Sequence, residues 1–201
     1  MLSVYQVKPK FQQLLKPVLA ALHRYGVTAN QITISALLLS ALVGFCFWNA
    51  DAHPVLYLAL PVGLFIRMAL NALDGMMART YSQQSKLGEV LNELGDVVSD
   101  QLIYFPLLKF EPHVIYLVVV FLCLTIINEF AGLMGKVLNG QRRYDGPMGK
   151  SDRAFLVGLY GLLAFFNIGM ADYALWLFTA IIILLLLSTY LRIKRGLSIT
   201  Q

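Results

Sequence analysis

Residues Gln31 to Ala50 read QITISALLLSALVGFCFWNA, a run of 20 positions without one charged side chain. About 20 mostly apolar residues are what an α-helix needs to cross the hydrocarbon of a bilayer. The remainder of the chain follows the same composition: 58% hydrophobic and 13% charged residues, with a mean hydropathy of +0.68. Soluble domains average about 45–50% apolar and about 25% charged residues, so a soluble enzyme, a coiled coil and a disordered chain are all excluded. Cys46 and Cys123 both lie inside apolar runs and read as small core residues, not as a disulfide or a zinc site.

Working outward from that first span, five more are predicted, at Val55–Arg79, Leu87–Phe110, His113–Leu138, Arg153–Met170 and Tyr173–Leu191. The fold class is therefore all-α and integral to the membrane, a six-helix bundle over residues 29–195 in a single membrane domain. Short connections predict that consecutive helices pack as antiparallel neighbours. Residues 1–25 are too basic and interrupted to span. Phe11, Leu14, Leu15, Val18, Leu19 and Leu22 recur at helical spacing, which predicts an amphipathic helix lying in the membrane plane. No apolar core typical of a cleaved signal peptide follows the first lysines.

With a cytoplasmic N-terminus and six spans, nearly every lysine and arginine falls on the cytoplasmic side. Lys109 is left outside and Arg67 within a span. This asymmetry is the positive-inside pattern. It places both termini in the cytoplasm and accounts for the formal charge of +5 without nucleic acid. Tyr116, Tyr173 and Trp176, near span ends, read as interfacial anchors.

Ionisable residues within a span are costly and point to function. On the second span Asn71 and Asp74 are three apart and share a face. On the third, Gly88, Asn92, Asp96 and Asp100 step by four along one stripe. The loop TYSQQSK between these spans is short, so both faces can meet at the cytoplasmic half of the membrane. Oxygen donors alone suit a hard cation such as Mg²⁺ or Mn²⁺. The same residues could equally form a hydrogen-bond network between helices or line a cation path. Gly75, Ala78 and Gly88 remove bulk beside the carboxylates, and Arg79 adds a cation suited to phosphate.

Read together, Asp74-Gly75-x2-Ala78-Arg79-x8-Gly88-x3-Asn92-x3-Asp96 resembles the pattern of the CDP-alcohol phosphotransferase (CDP-alcohol phosphatidyltransferase) family, Asp-x2-Asp-Gly-x2-Ala-Arg-x8-Gly-x3-Asp-x3-Asp. The resemblance implies transfer of a phosphatidyl or related group from a CDP-linked lipid, such as CDP-diacylglycerol, to a hydroxyl acceptor. CMP is released, divalent metal is required, and the working form is a homodimer in the bacterial inner membrane. By the same resemblance, Asn71, Asp74, Asn92 and Asp96 hold metal. Asp74, Gly75, Ala78, Arg79 and Gly88 bind the nucleotide diphosphate, and Asp96 is the catalytic base. Two family aspartates are replaced here by Asn71 and Asn92. Each change removes a negative charge, so the site is expected to hold metal weakly, to hold one ion, or to recruit Asp100, Glu93 or Glu89. A relative that keeps the nucleotide site without turnover is the alternative reading.

Before the fifth span, the segment Arg142-Arg143-Tyr-Asp-Gly-Pro-Met-Gly-Lys150-Ser-Asp152-Arg153 carries cations that could bind an anionic acceptor or a lipid diphosphate. Asp152 is a candidate helix cap. Ala29-Asn30-Gln31-Ile32-Thr33 resembles the family's Pro-Asn-x-x-Thr segment at the first span, and Asn30 is expected to cap it. Arg67 and Glu129 have no assigned role beyond a contact inside the bundle.

Overall fold

A computed structural model describes residues 7–198, which are helical almost throughout, with no strand among the described residues. Helix α1 covers Val7–Arg24 and α2 covers Ala29–Trp48. A 3-10 turn at Pro54–Leu58 leads into α3, Ala59–Thr80. Then follow α4 (Lys86–Tyr104), the single turn α5 (Leu107–Phe110), α6 (Ile115–Asn139), α7 (Lys150–Phe165) and α8 (Ala171–Leu197). Four stretches are long and apolar enough to cross a membrane: Ala29–Trp48, Pro54–Thr80, Pro112–Asn139 and Ala171–Leu197. The other two expected spans are helices that fall short of that measure. α4 carries Glu89, Glu93, Asp96 and Asp100, and α7 has 16 residues.

Local chemistry explains the helix ends. At α2 the Thr28 hydroxyl accepts from the Gln31 amide at 3.3 Å, while the Gln31 side chain accepts from the Thr28 amide at 2.8 Å. This reciprocal pair caps the helix. Asn30 was expected in that role, but it lies inside the first turn, where its side chain cannot reach the open amides. Asp152 serves α7 from the third helical position, accepting from the Gly149 amide at 3.1 Å. α6 stops where Gly140 takes up φ 77°, the left-handed conformation that ends many helices.

The packing order differs from the order of the chain. α2 lies between α3 and α4, α7 packs on α3, and α6 runs along α8. Consecutive helices were expected to be neighbours throughout. That holds for α2 and α3 and for α4 and α6, but the backbones of α3 and α4, like those of α7 and α8, stand apart, and the Arg67 and Asn71 side chains bridge α3 to α4. The wedge of polar residues between them explains the gap. Small residues set the close approaches that remain. A Cβ at Gly44 would strike the Leu102 carbonyl, so α2 and α4 can meet at this distance only with glycine there.

The core holds Phe47, Leu60, Ile103, Tyr104, Val118, Phe121, Phe178 and Leu185, with Phe47 stacked on Phe110 at 4.9 Å between ring centroids. Many large apolar side chains face outward instead, among them Leu38, Phe45, Phe65, Phe130 and Leu186. In lipid such a surface is solvated, so cohesion between helices falls to close packing and polar contacts. α1 buries Leu15 and Leu19 against Leu73, Met76 and Met77, and leaves Leu14 and Val18 exposed. His23 at its end stacks on Tyr81 at 3.5 Å.

Candidate active site

At the end of the bundle that holds the α3–α4 loop, three helices converge on two aspartates. α3 supplies Arg67, Asn71 and Asp74 on one face, at the helical spacing of four and three. α4 supplies Asn92, Asp96 and Asp100. The Asn71 side-chain amide donates to Asp96 Oδ1 at 3.3 Å, and Arg67 Nη2 donates to the Asp96 carbonyl at 3.1 Å. The two polar stripes therefore do meet, across the gap between backbones that pack poorly. α2 adds a third wall: Thr33 donates its hydroxyl to Asp74 Oδ2 at 3.0 Å. Asp74 is 5% exposed and, among the described residues, forms no ion pair. Asp96 differs in kind, since the Lys150 ammonium, from the start of α7, donates to its Oδ1.

Glycines shape the rim. A Cβ at Gly75 would stand 3.3 Å from Arg79 Nη1, so the guanidinium lies directly over the glycine that follows Asp74. A Cβ at Gly88 would come within 2.7 Å of Asn30 Oδ1, which brings the α2 start against the α4 start. Among the described residues no three histidine, cysteine or carboxylate side chains gather as a metal site. At motif positions 71 and 92 the chain carries asparagine in place of carboxylate.

With this motif and its geometry in place, the comparison with known sequences is decisive: the profile of the CDP-alcohol phosphatidyltransferase family matches residues 26–193. The chain belongs to that family. It is an integral membrane CDP-alcohol phosphatidyltransferase, a transferase of phospholipid biosynthesis. It is 52% identical to the Escherichia coli inner membrane protein YnbA over 161 residues, 80% of each chain. It is 34% identical to the archaetidylinositol phosphate synthase of Pyrococcus horikoshii over 100 residues, 50% of each chain. Its fold is that of Mycobacterium tuberculosis phosphatidylinositol phosphate synthase. The structure of that enzyme with CDP-DAG bound superimposes at a TM-score of 0.76 with 16% identity, covering 92% of this chain and 94% of the other. The same enzyme with manganese and citrate gives 0.73 at 17% identity, covering 92% of each.

Behind the aspartates this phosphatidyltransferase carries a second layer of charge that the sequence pattern did not reveal. Asp100, 2% exposed, accepts from Arg67 Nη1 at 2.6 Å and from Arg153 Nη2 at 2.8 Å. Glu129 on α6 accepts from Arg153 at 2.9 Å and from Arg142 at 2.7 Å, with Arg192 of α8 at 3.6 Å. Arg142 also pairs with Glu93, and Lys136 with Glu89. The polar stripe thus extends beyond α3 and α4 into α6, α7 and α8, which residue spacing alone did not suggest. It forms closed ion pairs, not an open path.

These partners redistribute the expected roles. Asp100 was a candidate auxiliary metal ligand, but two arginines already hold it. Arg153 was a candidate phosphate ligand; it is 1% exposed, and its guanidinium donates to Asp100, Glu129 and the Met148 carbonyl. Arg142 is likewise turned to carboxylates. Arg143 lies in the α6–α7 loop, donating to Asp145 at 2.9 Å. Burial works to raise the Asp145 pKa, yet the hydrogen bonds from Arg195 and Arg143 prevail and hold it below the usual carboxylate value. That loop is tied to α8 again where Ser188 donates to the Asp145 carbonyl at 3.0 Å. Among the described residues, Lys150 is the member of the basic segment that donates directly to an aspartate of the motif. Ala78 packs among the apolar residues beneath α1, and Arg79 is exposed at the end of α3.

Proposed function

We propose that this protein transfers a phosphatidyl group from a CDP-linked lipid to the hydroxyl of a second substrate, with release of CMP. The observation that carries the reading is the convergence of Asp74 and the Asn71–Asp96 pair where α2, α3 and α4 come together. CDP-diacylglycerol is the proposed donor, since the manner of folding is shared with an enzyme solved with CDP-DAG.

Asp74 and Asp96, with the carboxamide oxygens of Asn71 and Asn92, form an all-oxygen donor set that fits Mg²⁺ or Mn²⁺. When bound, such an ion supplies charge neutralisation for the diphosphate. Gly75 makes room for the Arg79 guanidinium and Gly88 for the Asn30 side chain, Ala78 keeps the α3 face small, and Arg79 offers a bidentate cation to phosphate oxygens. Asp96 takes the acceptor hydroxyl's proton. The acceptor oxygen forms its bond to the lipid-side phosphorus as the bridging P–O bond breaks, and CMP leaves with that electron pair. Lys150 balances the charge on Asp96, while Arg142 and Arg143 are committed to the carboxylates of Glu93, Glu129 and Asp145 and brace the loop side. The hydroxyl acceptor is left to the acceptor panel below. Arg153 and Asp100 hold the helices that carry these groups.

In the same reading α4 and α7 complete a bundle of six spans, residues 29–195, and the cations of their neighbours neutralise the α4 carboxylates. α1 lies along the membrane surface with Leu14 and Val18 in the headgroup region. Both termini are cytoplasmic, the membrane is a bacterial inner membrane, and the chain works as a homodimer. The test is purified protein with CDP-diacylglycerol, Mg²⁺ or Mn²⁺ and pooled alcohols and sugar phosphates, followed by CMP assay and lipid mass spectrometry. A new phospholipid that disappears in Asp96→Ala, with the variant still folded, is the expected result. Nucleotide bound without CMP release across the whole acceptor panel would overturn the transfer reading, and cation flux in nucleotide-free liposomes would replace it.

A further inference from the structure

The two aspartates of the motif are not equivalent. Among the described residues Asp74 accepts from neutral donors alone, the Thr33 hydroxyl at 3.0 Å and the Gly75 amide at 2.5 Å. Asp96 has Lys150 on its Oδ1, the Asn71 amide at 3.3 Å on the same oxygen, and Arg67 Nη2 at 3.9 Å. Among the described residues Asp74 has no direct ion-pair partner, whereas Asp96 already has a cation bound to its carboxylate. No spare carboxylate can make up the difference. Glu89, Glu93 and Asp100 share α4 with Asp96, and each is committed to a lysine or arginine from another part of the chain.

From this we infer that the site holds a single divalent cation, anchored on Asp74. The Lys150 ammonium is the fixed positive charge on the Asp96 side, where a second ion would otherwise sit. The charge balance supports it. One divalent ion together with Lys150 and Arg79 offsets two carboxylates and a doubly anionic diphosphate. A second ion would leave the pocket with excess positive charge among buried groups, where repulsion is poorly screened. Asn71 fits the same arrangement, because it turns its N–H, a donor, towards Asp96, which a metal-ligating aspartate could not do. The inference rests on the transferase reading above and adds a stoichiometry and a role for Lys150.

Manganese counting tests it without reference to turnover. The full chain in detergent is titrated with Mn²⁺, alone and with CDP-diacylglycerol, and bound ion is read by electron paramagnetic resonance. One equivalent per chain with an uncoupled Mn²⁺ signal is expected, and Asp74→Asn should abolish it. Restoring acid and removing the ammonium together (Asn71→Asp, Asn92→Asp, Lys150→Met) should raise the count to two, with spin coupling between the ions. Because that triple variant adds buried charge and could fail to fold, Lys150→Met alone is the companion. Losing the competing cation should tighten Mn²⁺ binding at least about tenfold. Two equivalents in the parent protein, or unchanged affinity in Lys150→Met, overturns the inference and leaves the transferase reading intact. No bound Mn²⁺ overturns it as well. Only CMP release persisting in chelator would, separately, overturn the metal requirement in the proposed function.

Discussion

Replacing Arg153 with methionine separates a strut from a substrate ligand. The guanidinium is wholly enclosed and makes three contacts, to Met148 O at 3.1 Å, Asp100 at 2.8 Å and Glu129 at 2.9 Å. Removing one member of a buried ion pair costs about 3–5 kcal/mol, because the abandoned charge stays buried. Here each carboxylate keeps another arginine, Arg67 on Asp100 and Arg142 on Glu129, so the lower end, about 3 kcal/mol, is expected. For a chain of this length that corresponds to a fall in Tm of about 6–12 °C. Circular dichroism in detergent would read it, with size-exclusion chromatography to confirm that the variant is monodisperse. Arg153→Lys, a point charge that cannot reach all three acceptors, should fall between parent and Met. In the double variant Arg153→Met with Asp100→Asn, the two losses should fail to add by about 0.5–3 kcal/mol, since they share one contact. An Arg153→Met protein that melts with the parent but shows a raised acceptor KM would refute the reasoning and return the arginine to the substrate.

Three further outcomes are expected. Gly44→Ala should destabilise by about 1–3 kcal/mol, because its Cβ would collide with the Leu102 carbonyl across the α2–α4 contact; a Tm equal to the parent's would show that the helices can part without loss. Thr33→Val removes a hydrogen bond to the charged Asp74 and should lower kcat/KM by roughly 10–100-fold while leaving the fold intact; an unchanged rate would separate Asp74 from the reaction. Asp145 has a folded pKa below its unfolded one, so the stability it adds is fully present above the unfolded carboxylate value and is lost as pH falls through the folded value. Melting temperature followed from neutral to acid pH should therefore drop more steeply for the parent than for Asp145→Asn, and parallel curves would remove the loop's link to Arg143 and Arg195 from the account.

Four of the six expected spans and the motif were legible because they are local. Helical spacing alone puts Asn71 with Asp74, and Asp96 with Asp100; the cap of α2 was read as Asn30, although the pair that forms, Thr28 and Gln31, is equally local. What escaped was the set of ion-pair partners chosen across the bundle. Lys150 lies 54 positions from Asp96, and Arg67 lies 33 from Asp100; neither distance leaves a trace in periodicity. The charge of Arg153 reads in sequence as flanking a span, and only burial between Asp100 and Glu129 reveals it as internal. The splaying of α3 from α4 was hidden for a similar reason. A short loop suggests contact, but it limits only the ends it joins.

The layered ion pairs also bear on how the chain enters its membrane. α4 emerges during synthesis with Glu89, Glu93, Asp96 and Asp100, and it is too polar to partition into hydrocarbon unaided. The groups that neutralise it include Lys136, Arg142, Lys150 and Arg153, all made later. On the six-span reading proposed above, α4 waits beside the insertion machinery until the start of α7 has been translated, and biogenesis of the second half of the protein becomes a condition for seating the first.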